Sequence, residues 1–180
     1  MFVGRCSGVE RHKWLKILDV SSIEGSIPRD FGADAALVQG AKSILASLEA
    51  LNARWAIVTS GTRALVEGWL EVLKLDHPKT MVVAEDCEKG KPDAEPYLLA
   101  KKRLGLSAET VACVVEDSVA GVVSGKASNC KVIGLATTHT TMQLRQAGAD
   151  FIVKDLRSVE VTGHDPAEGV TIKICNLLAD

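Results

Sequence analysis

Five short apolar runs, interleaved with segments of helical periodicity, confine this chain to an α/β fold. The runs are residues 55–59, 81–84, 111–115, 131–135 and 151–153. They do not alternate apolar with polar residues, which is typical of strands buried on both faces of a parallel sheet. Helical spacing of apolar residues covers residues 41–50, 62–73, 95–104, 119–127 and 141–147. The pattern predicts a doubly wound α/β sheet flanked by helices.

The two ends of the chain follow other patterns. Residues 159–174 are typical of a β-hairpin, with a loop rich in Gly, Pro and Asp. Residues 1–40 are weakly patterned, and Pro28 and Gly32 predict a loop over residues 27–32. The regular part of the fold is therefore expected to begin near Ala41.

Charge and composition exclude several classes of protein. The formal net charge is −2 and no block of Lys or Arg stands out, so a nucleic acid is not expected as a partner. No apolar run approaches the roughly 20 residues of a transmembrane helix, and the N-terminus lacks a signal-peptide pattern. The five cysteines are scattered, and Cys113 and Cys130 lie in apolar runs where buried thiols are expected. These features predict a cytoplasmic protein with no membrane association, disulfide framework or zinc site.

Polar residues at the ends of predicted strands are the candidates for chemistry, because ligands bind at the carboxyl ends of strands in open α/β sheets. Ser60, Gly61 and Thr62 end the first strand. A hydroxyl beside free N–H groups at a helix N-terminus can bind phosphate. A Ser or Thr that only caps the helix is the simpler interpretation, and it is favoured for this segment taken alone.

Lys91 follows the second strand, and Glu116 and Asp117 end the third. With Pro92 in the first turn of the next helix, Lys91 could reach into the crevice as a positive charge for phosphate, although a solvated surface lysine is favoured for this segment in isolation. Two adjacent carboxylates at the end of a buried strand are costly unless a cation such as Mg²⁺ offsets them. A helix N-cap by Asp117 beside an exposed Glu116 explains that pair equally well.

The order of these residues is more specific than any one of them. Lys91 lies 31 residues after Ser60 (91 − 60), and Glu116 lies 25 residues after Lys91 (116 − 91). Each falls at the end of a successive strand. One hydroxyl, one ammonium group and one acidic pair are therefore expected to converge on a single phosphate and a single Mg²⁺.

Three segments resemble, in order, the second, third and fourth motifs of the haloacid dehalogenase superfamily. They are residues 55–62 (WAIVTSGT), 90–93 (GKPD) and 114–121 (VVEDSVAG). The likeness is greatest to the fungal 2-deoxyglucose-6-phosphate and glycerol-phosphate phosphatases, and it runs from about Glu24 to near the C-terminus.

The resemblance implies a Rossmann-like core and Mg²⁺-dependent hydrolysis of a phosphate monoester. In the family an aspartate attacks phosphorus, and a second aspartate two residues later protonates the leaving oxygen and activates water. Carried over by motif, Ser60–Thr62 would bind the phosphoryl oxygens, and Lys91 would pair with the nucleophile and the phosphate. Asp117, with Glu116, would hold Mg²⁺.

The family's first motif is missing from these residues. It ends a buried strand with Asp-x-Asp-Gly-Thr, and no such string occurs in the sequence. Residues 17–21 (ILDVS) come nearest but lack the second aspartate and the glycine, so Asp19 is not expected to be the nucleophile. We therefore expect an N-terminally truncated sequence. Residues 1–36 would be the end of a helical cap with its linker, and residues 37–180 would be the core.

The missing strand has a structural consequence, because in the family it is central. It would lie between the strands that start at Trp55 and at Val111, and without it two strand edges are left open. Open edges pair readily with other chains. A homodimer through these edges is therefore an expected partner, beside a small phosphate ester as substrate.

Three functions remain open from the sequence. The first is an enzyme that hydrolyses a sugar or polyol phosphate and is inactive without the missing motif. The second is a non-catalytic remnant of the same fold with a binding role. The third is a dehalogenase or phosphomutase on the same core, although the acidic pair Glu116 and Asp117 argues for a Mg²⁺-dependent member rather than a dehalogenase.

Overall fold

A computed structural model describes residues 20–165 and 169–178, and it has the expected alternation of strands and helices. In chain order the elements are α1 (Val20–Phe31), α2 (Ala41–Ala50), β1 (Ile57–Val58), α3 (Arg63–Val72), β2 (Met81–Val82), α4 (Glu95–Arg103), β3 (Ala112–Glu116), α5 (Val119–Ala127), β4 (Cys130–Leu135), α6 (Thr141–Gln146), β5 (Phe151–Val153), β6 (Val159–Asp165) and β7 (Gly169–Ile174). The α/β class is confirmed, and β5 has the predicted bounds. The other four predicted runs differ from the observed strands by one or two residues at an end.

The parallel sheet is present in two parts. Strand β1 pairs in parallel with β2, and β3, β4 and β5 form a second parallel sheet in that order. Strands β6 and β7 form the predicted antiparallel hairpin. Within residues 20–165 and 169–178, β1 and β3 do not pair with each other and no strand lies between them. Within these ranges the strands form a Rossmann-like α/β core whose two parallel parts are not joined by a strand.

The core packs around β4. Its residues point alternately to two apolar clusters, one with Val132 and one with Ile133, and both of these residues are at most 1% exposed. A third cluster packs α3 on β1 through Ile57, Val66 and Leu70. Burial on both faces explains why residues 132–135 of β4 form an apolar run. None of the helices in the described ranges is long and apolar enough to cross a membrane.

The loop predicted over residues 27–32 is wrong. Residues 27–31 complete α1, and a 3₁₀ turn at Gly32–Asp34 follows. Pro28 lies inside the helix and is fully buried against Gly68 of α3, where an added Cβ would lie 2.9 Å from Pro28 Cγ. A proline inside a helix is locally unfavourable, but close packing of α1 on α3 outweighs that cost. The proline and glycine that predicted a loop carry no information about packing between helices that are distant in sequence.

Two smaller expectations are also wrong. Pro92 does not lie in the first turn of α4, which begins at Glu95 and has Pro96 in that turn. Cys113 is exposed, whereas Cys130 is buried as expected. The reason is that β3 is well covered on the face of Val114 and open at Cys113.

Replacing Gly68 with valine is expected to destabilise the fold by about 1–3 kcal/mol, because the new side chain would be forced into the Pro28 ring. Urea unfolding measures the effect. Gly90→Val is the matched control, since no atom lies within 4 Å of a Cβ placed at Gly90. Equal unfolding free energies for the two variants would show that the contact between α1 and α3 contributes little.

Candidate functional site

Lys91 joins the two parts of the sheet at their carboxyl ends. Its Nζ donates to the carbonyl oxygen of Val58, the last residue of β1, at 3.0 Å. The same ammonium group forms a buried ion pair with Oε1 of Glu116, the last residue of β3. It also lies 5.0 Å from the centre of the Tyr97 ring, within the range of a cation–π contact. The lysine and the acidic pair of the sequence motifs are thus neighbours in space.

Glu116 is buried and accepts hydrogen bonds at both carboxylate oxygens. The Tyr97 hydroxyl donates to Oε1 at 2.6 Å, and the Ser118 hydroxyl donates to Oε2 at 3.1 Å. Burial by itself raises the pKa of Glu116, but the charge of Lys91 and the hydrogen bonds from Lys91 and Tyr97 outweigh it and hold the pKa below its ordinary value. Glu116 is therefore the ionised counter-ion of Lys91, and the interpretation that left it exposed is wrong.

The first turn of α5 is shaped around Glu116. A Cβ added at Gly121 would lie 2.0 Å from the carboxyl carbon of Glu116, so only glycine leaves room for this side chain. The N-cap of α5 is Ser118, whose Oγ accepts from the Gly121 N–H at 3.0 Å. Asp117 is not the N-cap, and its carboxylate is left for other contacts.

Asp117 is 9% exposed and is held by the loop that follows β4. Its Oδ2 lies 3.0 Å from the Thr138 hydroxyl, and its backbone oxygen lies 2.7 Å from that hydroxyl and 2.9 Å from Nδ1 of His139. Burial raises the pKa of Asp117 above its ordinary value. The charge of Glu116 adds to the rise, and the hydrogen bond from Thr138 opposes it.

The carboxylate oxygens differ in what they can offer a metal ion. The described residues contain no cluster of three or more His, Cys, Asp or Glu side chains placed to hold a metal ion. Both oxygens of Glu116 are committed to protein donors, whereas no side chain in the described part of the chain donates to Oδ1 of Asp117. A buried carboxylate with one oxygen that no side chain engages has the chemistry of a ligand for a hard cation. Asp117 therefore fits Mg²⁺, and Glu116 fits only if it gives up one of its present donors.

The loop after β1 is occupied by protein acceptors. The Gly61 N–H donates to the Thr59 hydroxyl at 3.1 Å, and the Thr62 N–H donates to Oε2 of Glu24 at 2.9 Å. Thr62 is buried and caps α3, so the capping interpretation is confirmed for this residue. Ser60 is exposed at the mouth of the loop. Binding of phosphate by Ser60, Gly61 and Thr62 stays a prediction, for which the free group in this geometry is the Ser60 hydroxyl.

Five residues that contact the site were not predicted from the sequence, namely Glu24, Glu85, Tyr97, Thr138 and His139. Glu85 accepts from the Arg63 N–H at 3.0 Å, beside the Glu24 contact at the start of α3. Thr138 and His139 lie in the loop that follows β4, three and four residues after its end, where the rule that selects strand ends also applies. Glu24 and Tyr97 carry no such signal, because they belong to helices α1 and α4 and not to strand ends.

Gly121→Ala is expected to lower the unfolding free energy by about 1–3 kcal/mol, because the new methyl group displaces the Glu116 carboxylate. Urea unfolding with Gly90→Ala as control measures it. In a Glu116→Ala background the cost of Gly121→Ala should fall sharply, since the clashing group is gone. An equal cost in both backgrounds would contradict this account of Gly121.

Comparison with known proteins places these motifs in one family. The model of the haloacid dehalogenase-like hydrolases matches residues 26–135. Glycerol-1-phosphate phosphohydrolase 1 of Saccharomyces cerevisiae is 38% identical over 149 residues, which are 79% of this chain and 60% of the yeast protein. 2-Deoxyglucose-6-phosphate phosphatase 1 of the same yeast is 30% identical over 175 residues, with 88% of this chain and 71% of that protein covered.

A solved structure agrees with these sequence relatives. A hydrolase from Pseudomonas syringae superposes with a TM-score of 0.67 and 26% identity, over 73% of this chain and 61% of that chain. The chain therefore spans about three fifths of the yeast glycerol phosphatase and of this structure. It belongs to the haloacid dehalogenase-like hydrolase family.

Proposed function

We propose that this chain serves in a Mg²⁺-dependent phosphomonoester hydrolase that acts on a small sugar or polyol phosphate. The observation that carries the proposal is the meeting of Lys91, Glu116 and Asp117 at the carboxyl ends of β1 and β3. The names of the yeast relatives support the substrate class. Because the chain spans 60% of the glycerol phosphatase, the activity and substrate of the whole protein are part of the proposal.

Each residue has a role that its surroundings allow. The exposed Ser60 hydroxyl would donate to a phosphoryl oxygen. Lys91 would turn from Glu116 toward the phosphate, and its buried position makes its charge more effective than in water. Asp117 would hold Mg²⁺, which when bound neutralises negative charge on the phosphoryl group. Glu116 would hold the Lys91 ammonium group in place before the substrate arrives.

The attacking group is not supplied by these residues. The 180 residues contain no Asp-x-Asp-Gly-Thr string, and a covalent nucleophile is worth several orders of magnitude in rate. We propose that the 180-residue chain alone has no appreciable phosphatase activity. A non-catalytic binding role is the second candidate, supported by the structural contacts of Lys91, which joins the ends of β1 and β3 through Val58 and Glu116.

The partners and setting that we propose follow from the same residues. The substrate is a small molecule, and a net charge of −2 argues against a nucleic acid. The cysteines in the described ranges carry free thiols, which supports a reducing setting such as the cytoplasm.

The test compares the 180-residue chain with a longer version that carries an added N-terminal segment bearing Asp-x-Asp-Gly-Thr. Hydrolysis of glycerol phosphate, sugar phosphates and an aryl phosphate is followed with Mg²⁺. We expect turnover only from the longer version. In it, Lys91→Ala and Asp117→Ala should each lower kcat by on the order of 100-fold or more, because charge stabilisation is lost.

The matched controls are Lys89→Ala and Asp76→Ala, which remove the same charges from exposed positions. Ser60→Ala should be milder than Lys91→Ala, since a neutral hydrogen bond is weaker than a charged one. Near-full activity of Lys91→Ala would contradict the role given to Lys91. Binding of inorganic phosphate by an inactive longer version would favour the binding module instead.

We also propose that the 180-residue chain forms a homodimer through the open edges of β1 and β3. Open strand edges favour pairing with a second copy, and the edges that face each other are unpaired within the described residues. Size-exclusion chromatography with light scattering should show a dimer. Cys113→Lys puts a charge at the exposed position of β3 and should shift the dimer to monomer, whereas Val123→Lys on α5 should not. A wild-type monomer would overturn the proposal.

A further inference from the structure

Two residues of the loop between β4 and α6, Thr138 and His139, contact Asp117, and the proposed function assigns them no role. The Thr138 hydroxyl lies 3.0 Å from Oδ2 of Asp117 and 2.7 Å from its backbone oxygen. Nδ1 of His139 lies 2.9 Å from the same backbone oxygen and 3.1 Å from the Thr138 hydroxyl. Side chain and main chain of Asp117 are therefore both held by one loop.

The contacts allow one consistent placement of protons. The backbone oxygen of Asp117 can only accept, so Nδ1 of His139 carries the hydrogen that it donates there. The single hydroxyl hydrogen of Thr138 is then free to lie between the backbone oxygen and Oδ2 of Asp117. This placement leaves Oδ1 as the carboxylate oxygen with no side-chain donor in the described ranges.

The loop is anchored at both ends, which makes it a firm support. The Ala136 N–H donates to the Val153 carbonyl at 2.9 Å, so the start of the loop is tied to β5. At its end, Thr140 and Gln143 form a capping box at the first turn of α6. Strand β4 pairs with β3 so that Gly134 lies opposite Glu116, and the residues that follow each strand are therefore neighbours. The register places Thr138 beside Asp117.

We propose that Thr138 is a positioning residue that turns Oδ2 of Asp117 toward the protein and presents Oδ1 to a divalent cation. His139 assists by fixing the main chain of Asp117. The inference rests on the proposed function, because it assigns a support to the residue that would hold Mg²⁺. Partners that orient a metal-binding carboxylate commonly change metal affinity by about 10–100-fold.

The experiment is a Mn²⁺ titration of the ¹⁵N-labelled 180-residue chain, followed by paramagnetic broadening of the amide signals of residues 117–121. In wild type we expect selective broadening of these signals. Thr138→Val keeps the shape but removes the hydroxyl, and it should weaken the apparent affinity about tenfold. Thr138→Ser should restore it. Thr137→Val is the matched control, since Thr137 is an exposed neighbour, and it should behave as wild type.

The outcomes separate this inference from the proposed function. Wild-type affinity in Thr138→Val would overturn the positioning role while leaving the metal site intact. A loss that Thr138→Ser does not restore would also overturn it. Absence of selective broadening in wild type would overturn the metal role of Asp117 and the inference with it. If Thr138→Val does not fold, Thr138→Ala carries the same comparison.

Discussion

The buried contact between Lys91 and Glu116 is the interaction on which the rest of this structure depends. It ties the β1–β2 pair to the β3–β4–β5 sheet where, within the described ranges, no backbone pairing joins them. Lys91 also satisfies the Val58 carbonyl at the open edge of β1, and an unsatisfied backbone acceptor there would be costly. Removing either partner of a buried ion pair leaves an uncompensated charge. Cohesion of the sheet and the proposed function therefore rest on the same two side chains.

The fold was predictable at strands that are buried on both faces, because such strands have mostly apolar sequences. Residues 132–135 of β4 and all of β5 are apolar, and Val132, Ile133 and Val153 enter apolar clusters. Helix α1 was not predictable in this way, because the packing of Pro28 on Gly68 joins positions 40 residues apart (68 − 28). The exposure of Cys113 could not be predicted from the sequence either, because it depends on which face of β3 the rest of the chain covers.

The sequence predicted where the residues of the candidate site lie, at the ends of strands, but not which side chains contact each other there. The rule that selects strand ends brings Lys91, Glu116 and Asp117 to one edge of the fold. It does not say that Glu116 would pair with Lys91 while Asp117 turns to Thr138, because those choices depend on the register of β3 and β4 and on the space left by Gly121. Glu24 illustrates the limit most clearly, since it reaches Thr62 across 38 residues of sequence.

The two carboxylates at the start of α3 change how this crevice would attract an anion. Glu24 and Glu85 already take the N–H groups of Thr62 and Arg63, so they offset the partial positive charge that a helix N-terminus would otherwise offer. Attraction must then come from the positive charges of Lys91 and of any bound cation. An anion that binds there would have to replace Glu116 as the partner of Lys91. Near the solvent-exposed mouth of the crevice, the field that draws in a ligand would fade as salt is added.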